Sequence, residues 1–138
     1  MNAETKTAAP VTGRERLIEI AEWLEAGGDA RGTVAGFNMS DWRNVTNCGS
    51  VCCIAGALVE FEAQRTGATV AHVLASVGGG FHQTGEYLAE MDFNSAYDLF
   101  IPPEELNFGR ITPDEAAATV RGYLETGDVS WDHVNHNA

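Results

Sequence analysis

The predicted fold is organised around the stretch Asn47-Cys48-Gly49-Ser50-Val51-Cys52-Cys53-Ile54-Ala55-Gly56-Ala57-Leu58-Val59-Glu60-Phe61. It holds all three cysteines, and it carries no charge from Val51 to Val59. A helix that is apolar on every side is normally buried, and this one is far shorter than the roughly 20 residues that cross a bilayer. We therefore predict a buried central helix at about residues 50–65, with Ser50 as its N-cap. Glu60 and Glu62 are expected to begin its water-facing side.

Two further helices have clear start and stop signals. Thr12 and Glu15 have the spacing of a capping box, in which each side chain accepts a hydrogen bond from the other residue's backbone N–H. Thr112 repeats that spacing and is followed by a proline, which favours the first helical position. Gly27-Gly28 and Gly127 supply the stops, because glycine adopts the left-handed conformation that ends helices.

Shorter helices are predicted between these. Thr69 caps one that buries valines and a leucine, a second runs over residues 84–93, and Asn94 caps a third that stops before Pro102-Pro103. The connection from Asp29 to Asn47 is predicted to be irregular, with a brief strand as the alternative. Its large apolar side chains, expected to plug the core, are Phe37, Met39 and Trp42.

These elements predict an all-α fold, a compact single domain of four to six helices around the central one. The domain is predicted to span residues 12–131, with a loose tail at 1–11 and a polar tail at 132–138. A chain of 138 residues suits one domain with its own core. No apolar stretch of signal-peptide type precedes residue 12, so we expect a cytoplasmic protein. Three clustered cysteines, which do not form a secreted disulfide framework, favour the same location.

The charge is strongly acidic and unevenly distributed. Twenty acidic residues against eight basic ones give a net charge of −12. Residues 66–138 carry eleven acids and only two bases, Arg110 and Arg121. Such a chain is repelled by nucleic acids and anionic membranes, so neither is predicted as a direct partner. A basic protein surface is the complementary partner, although an acidic surface also serves solubility alone.

Three motifs resemble a group of small, largely uncharacterised bacterial and phage proteins. The first, Cys48-Gly49-Ser50-Val51-Cys52-Cys53-Ile54-Ala55-Gly56, resembles their Cys-Gly-Thr-x-x-Cys-Ile/Leu-Ala-Gly block. The others are Leu99-Phe100-Ile101-Pro102 and the segment from Ile111-Thr112-Pro113 to Trp131. Ser50 replaces the usual threonine, and Cys53 is an additional cysteine. The resemblance implies a shared fold and a phage or mobile-element setting, and it implies no activity.

Thiol chemistry is one alternative function. A cysteine at a helix N-terminus gains thiolate character from the helix dipole. A thiol-dependent enzyme or redox sensor would use Cys48 or Cys52 as nucleophile, with His72 or His82 as base. Buried cysteines that serve packing are the simpler interpretation, and a Cys48–Cys52 disulfide is a further option.

Metal and small-ligand binding are two more alternatives. Cys48, Cys52, His133 and His136 are four residue types that bind zinc, although the histidines are closer together than in most structural zinc sites. A third alternative is capture of a small ligand between helices near the glycines at 78–80. In the interpretation we favour, no catalytic residue, metal or cofactor is predicted, and the residues named above are the alternatives.

The favoured hypothesis is an acidic interaction protein that binds a basic surface of a host protein. Inhibition of a nucleic-acid-handling or defence complex, by carboxylates in place of phosphates, would be one such role. The acids predicted to bind the partner are Glu86, Glu90, Asp92, Asp98, Glu104 and Glu105.

Overall fold

The computed structural model describes residues 11–29, 31, 34–39, 43–46, 49–78 and 81–134, with the backbone course alone at 34–35, 43–46, 49–52 and 81–82. The α-helices in this part of the chain are α1 (Gly13–Glu25), α2 (Ile54–Thr66), α3 (Val70–Val77), α4 (Phe81–Leu88), α5 (Phe93–Phe100) and α6 (Pro113–Thr126). The β-strands are β1 (Val34–Phe37), β2 (Arg43–Thr46) and β3 (Gly49–Cys52), and a 3-10 helix covers Phe108–Arg110.

The helical single domain predicted from the sequence is confirmed, and α2 lies at its centre. Every residue of α2 from Ile54 to Phe61 is buried, and α1, α3, α4 and α5 all pack on it. The prediction for Glu60 was wrong: its side chain is 1% exposed and belongs to the core. Glu62 is the first residue of α2 that reaches the surface, where it is held by arginines.

Both predicted capping boxes are present. Glu15 N donates to Thr12 Oγ1 over 3.1 Å, and Thr12 N donates to Glu15 Oε1 over 2.9 Å. The same pair of bonds joins Thr112 and Glu115 at the start of α6. Gly127 ends α6 in the left-handed conformation, at φ +82°. Because local hydrogen bonds define these ends, the sequence alone was enough to locate them.

The start of the central helix was predicted wrongly. Residues 49–52 form β3, and α2 begins at Ile54 after Cys53, which is the N-cap but makes no side-chain capping bond. Ser50 is therefore a strand residue. β3 is the middle strand of a small sheet of order β1-β3-β2, parallel to β1 and antiparallel to β2. Pairing on both edges gives this segment backbone partners that one helical turn could not.

The boundary between α4 and α5 also differs from the prediction. α4 begins at Phe81 and ends at Leu88, so the predicted helix at 84–93 was displaced. Glu90 then adopts a positive φ of 57°, which breaks the helical path, and Met91 N donates to Gly85 O over 3.1 Å. Asp92 and not Asn94 caps α5, with its carboxylate accepting from Ser95 N.

The C-terminal segment, residues 127–134, packs on the helices over a longer stretch than predicted. Trp131 and Val134 are buried, so the polar tail does not begin at residue 132. Trp131 Nε1 donates to Asp98 O over 2.8 Å, which ties this segment to α5. His133 Nε2 lies 2.9 Å from Glu115 O and connects it to α6. The predicted loose tail falls, apart from Val11, outside the described residues, as do residues 135–138.

Candidate functional site: an acidic face with a cleft

The six predicted partner-binding acids are all exposed and follow one another along α4, α5 and the turn after it. Glu86 is on α4, Glu90 and Asp92 lie between the two helices, and Asp98 is on α5. Glu104 and Glu105 lie in the turn that follows Pro103, where Leu106 N donates to Pro103 O. We call these six residues the acidic face.

No acid of this face forms an ion pair with any described residue. Five of the six arginines whose side chains the structure describes are bound elsewhere. Arg14 donates to Leu124 O, and Arg121 forms two hydrogen bonds of 2.9 Å with Glu25. Arg110 is exposed and makes no ion pair within the described part of the chain. The negative charge of the acidic face is therefore directed at solvent.

The other three described arginines form a network of ion pairs with glutamates of the same chain. Arg16 binds Glu62 through two hydrogen bonds of 2.9 and 3.2 Å and also donates to Leu88 O. Arg65 binds both Glu62 and Glu19, and Arg31 pairs with Glu19 while lying over the Phe61 ring. We call these five charged residues the arginine-paired side. The acids there hold the fold together.

Exposed aromatic rings accompany the acidic face. Tyr87 is 65% exposed, Phe93 48% and Tyr97 50%. Phe93 and Tyr97 are one helical turn apart on α5 and stack, with ring centroids 6.4 Å apart and planes 9° from parallel. Aromatic rings beside carboxylates suit a cationic ligand, because the ring face attracts the cation and the carboxylate neutralises it.

Asp92 has a structural task in addition to its predicted one. Its carboxylate accepts from Ser95 N over 3.2 Å at the N-terminus of α5. The hydrogen bonds from Ser95 hold the pKa of the Asp92 carboxyl below its ordinary value. Replacing Asp92 would therefore disturb α5 as well as remove a charge.

A cleft of about 520 Å³ opens at the end of the acidic face. It lies between the end of α5 and the C-terminal segment, with residues 101–104 and the 3-10 helix completing it. Ile101, Pro102, Phe108, Val129 and Trp131 supply apolar surface. Asp98, Glu104 and Asp132 supply carboxylates, Tyr97 supplies an aromatic ring, and none of the described arginines or histidines lines it.

The thiol alternative receives little support from the described residues. Cys52 lies on β3 and not in the first turn of a helix, so the helix-dipole argument does not apply to it. Cys53, the cysteine at the N-cap of α2, is buried in the core. His72 is exposed on α3. Cys48 and the side chain of His82 lie outside what the structure describes.

Most of the ligands proposed for a metal lie outside what the structure describes, namely Cys48, His136 and the side chain of Cys52. Within the described part, no group of three or more histidine, cysteine or acidic side chains could hold a metal ion. His133, the fourth proposed ligand, is bound to the start of α6.

The glycines at 78–80, near which a small ligand was predicted to bind, lie only partly within the described residues. Gly78 ends α3 at φ +101° and does not line the cleft, while residues 79–80 lie outside the described part. None of the described helices has the length and apolar content needed to span a bilayer.

No protein-family model, curated protein or solved structure matches the chain. The resemblance to small bacterial and phage proteins therefore stays a prediction, and the site has to be interpreted from its own geometry.

The cleft is the feature that sequence reasoning missed. Val129 and Trp131 pack against the helices. The contact of Trp131 with Asp98, 33 positions earlier, was not predicted, because no local pattern encodes a contact of that range. The one available signal was the density of acids and aromatics between residues 86 and 105.

Proposed function

We propose that this protein is an interaction module that binds a basic surface of another protein through its acidic face. The observation that carries the proposal is that six exposed carboxylates have no cationic partner among the described residues, while other acids of the same chain do. Unpaired like charges on one surface repel each other. A basic partner removes that repulsion and is attracted over a distance of about 10 Å at moderate salt.

The exposed aromatic rings support a protein partner over simple solubility. A face that served solubility alone would need charge but not the half-exposed, stacked rings of Phe93 and Tyr97. Aromatic residues are enriched in protein interfaces, where they bury large areas at low entropic cost. Charges at the rim of such an interface mainly raise the association rate and select the partner.

The setting we propose follows the sequence resemblance. If the chain belongs with the bacterial and phage proteins it resembles, its partner is a basic protein of a bacterial host, met in the cytoplasm. Carboxylates in place of phosphates would then compete with nucleic acid for that partner, and inhibition of a nucleic-acid-handling or defence complex is the role we favour.

The test is a binding titration with two matched variants, each of which removes three negative charges. The face variant is Glu86→Gln/Glu90→Gln/Glu105→Gln, which leaves the cap Asp92 intact. The control variant is Glu22→Gln/Asp29→Asn/Glu125→Gln, at exposed positions on α1, after α1 and on α6. The probes are fluorescein-labelled peptides of alternating arginine and glycine, their lysine counterparts and a glutamate counterpart.

We expect the native chain to bind both basic peptides and not the glutamate peptide. Binding should weaken steeply as NaCl rises from about 0.05 M to about 0.5 M. The face variant should bind about tenfold more weakly than the control variant, as loss of three rim charges predicts. Equal binding by the face and control variants would show that net charge alone acts, and would overturn the proposal.

A further inference from the structure

We propose that the cleft beside α5 is an anchor site for an arginine side chain in the basic segment of the partner. This inference rests on the proposed function and assigns its specificity to one place. It adds three residues that the acidic face does not include, Tyr97, Trp131 and Asp132, all of which line the cleft.

The outer wall of the cleft is attached to two helices. Trp131 Nε1 donates to Asp98 O of α5 over 2.8 Å, and His133 Nε2 lies 2.9 Å from Glu115 O of α6. Trp131 and Val134 are buried, which anchors the same segment in the core. The C-terminal segment is therefore a fixed wall, and binding needs little ordering of the protein, which favours affinity.

The size of the cleft suits one long side chain with its neighbouring backbone. Its volume of about 520 Å³ is within the range of about 300–1,000 Å³ typical of sites that enclose a small ligand. An arginine stem can lie on the apolar surface of Ile101, Pro102 and Val129 while its charged end reaches the rim.

The chemistry of the rim selects a cation, and arginine above lysine. Asp98, Glu104 and Asp132 supply acceptors, and the half-exposed ring of Tyr97 lies beside them. A guanidinium group is planar, binds carboxylates through two parallel hydrogen bonds and stacks on aromatic rings, whereas an ammonium group is a compact, strongly hydrated charge. A site with both carboxylates and a ring therefore discriminates between them.

Charge also argues against the other occupants of such a cleft. A second copy of this chain would bring its own acidic face to the rim, and five of the six arginines described would have to leave their present partners to bind there. A nucleic acid would be repelled by the three carboxylates. A basic segment from a different protein meets neither obstacle.

The experiment adds a cleft variant, Asp98→Asn/Glu104→Gln/Asp132→Asn, to the face and control variants above. It also adds a peptide in which citrulline, the neutral analogue of arginine, replaces every arginine. A second variant, Tyr97→Leu, keeps all charges and removes only the ring. Thermal unfolding of each variant shows that the fold is retained before binding is measured.

We expect the native chain to bind the arginine peptide about tenfold more tightly than the lysine peptide, and the citrulline peptide not at all. The cleft variant should lose about tenfold in affinity for the arginine peptide, and Tyr97→Leu should reduce the preference for arginine over lysine to about threefold or less. An intact fold with these losses supports the anchor site.

Three results would count against it, and they separate it from the proposed function. If the face variant binds weakly while the cleft variant binds like the control, the acidic face survives and the anchor site is overturned. If no variant differs from the control, both are overturned. If light scattering shows a dimer of the native chain that the cleft variant does not form, a second copy and not a partner's arginine occupies the cleft.

Discussion

The arginine-paired side and the acidic face both carry carboxylates, but the groups that surround these carboxylates differ. On the arginine-paired side, Glu62 is 14% exposed and Arg16 13%, and the pair joins α1 to α2. On the acidic face, Glu86, Glu104 and Glu105 are exposed and make no ion pair with any described residue. The contrast shows that the charge of a residue does not indicate its role, whereas its burial and its partners do.

The two sides are also held by different means. Ion pairs connect the helices of the arginine-paired side, and Arg16 reaches α4 through Leu88 O. Beneath the acidic face, α4 and α5 instead pack closely at Gly85, where an added Cβ would lie 2.4 Å from the Cβ of Ala96. A substitution at Arg16 should therefore change stability through lost ion pairs and hydrogen bonds, and one at Gly85 through overpacking.

The largest effect is expected from Arg16→Met. The change removes two hydrogen bonds to Glu62 and one to Leu88 O, and leaves a half-buried carboxylate with Arg65 as its remaining basic partner. Breaking a buried pair from one side costs about 3–5 kcal/mol, and this pair is partly exposed. We expect the free energy of unfolding to fall by about 2–3 kcal/mol in urea denaturation.

Arg110→Met is the matched control, because Arg110 is exposed and makes no ion pair with the described residues. Surface changes of this kind are usually within about 0.5 kcal/mol. An equal loss in both variants would mean that the pairing of Arg16 contributes nothing beyond the charge itself.

The next effect is expected from Gly85→Ala under the acidic face. The new methyl group would meet Ala96 Cβ at 2.4 Å and the Phe100 ring at 3.0 Å, so α4 and α5 would have to move apart. Overpacking of this kind costs about 1–3 kcal/mol. Thermal unfolding monitored by circular dichroism would measure the loss.

Gly122→Ala makes the same chemical change where there is room. Gly122 is inside α6, and nothing lies within 4 Å of the position of its Cβ. Alanine is favoured over glycine in a helix by about 0.5–1 kcal/mol, so this variant should be more stable than the native chain. Stability changes of opposite sign at the two glycines would establish that close packing between α4 and α5, and not helix propensity, determines the effect of Gly85→Ala.

The parts of the fold that the sequence predicts are those set by short-range hydrogen bonds. Thr12, Thr69 and Thr112 cap their helices as predicted, and Gly127 ends α6 in the left-handed conformation. The sheet was not predicted, because β3 is stabilised by pairing with strands whose own patterns are only four residues long. An apolar run of that length does not distinguish a strand from a helical turn.

The candidate site divides in the same way. The six acids were predicted to bind a partner because they are clustered in the sequence before α6, and all six are exposed. Burial of Glu60 was not predicted, because it depends on the elements that cover α2 on every side. The cleft depends on the contact between Trp131 and Asp98, and therefore on the path of the whole C-terminal segment.

The smallest effect we predict is a dependence of the Arg16→Met difference on pH. Partial burial raises the pKa of Glu62, but the hydrogen bond and charge of Arg16, with the charge of Arg65, outweigh it, so that the pKa is below its ordinary value of 4.5. A carboxyl whose pKa is lowered in the folded state contributes stability that is complete above the ordinary value and is lost as the pH falls through the folded value. The difference in unfolding free energy between the native chain and Arg16→Met should therefore be constant from pH 7 to about pH 5 and should shrink towards about pH 3.

Urea denaturation of both chains across this range would measure the change. A difference for Arg16→Met that persists unchanged at about pH 3 would show that Arg16 acts through its bond to Leu88 O and the packing of its stem, and not through the charge of Glu62.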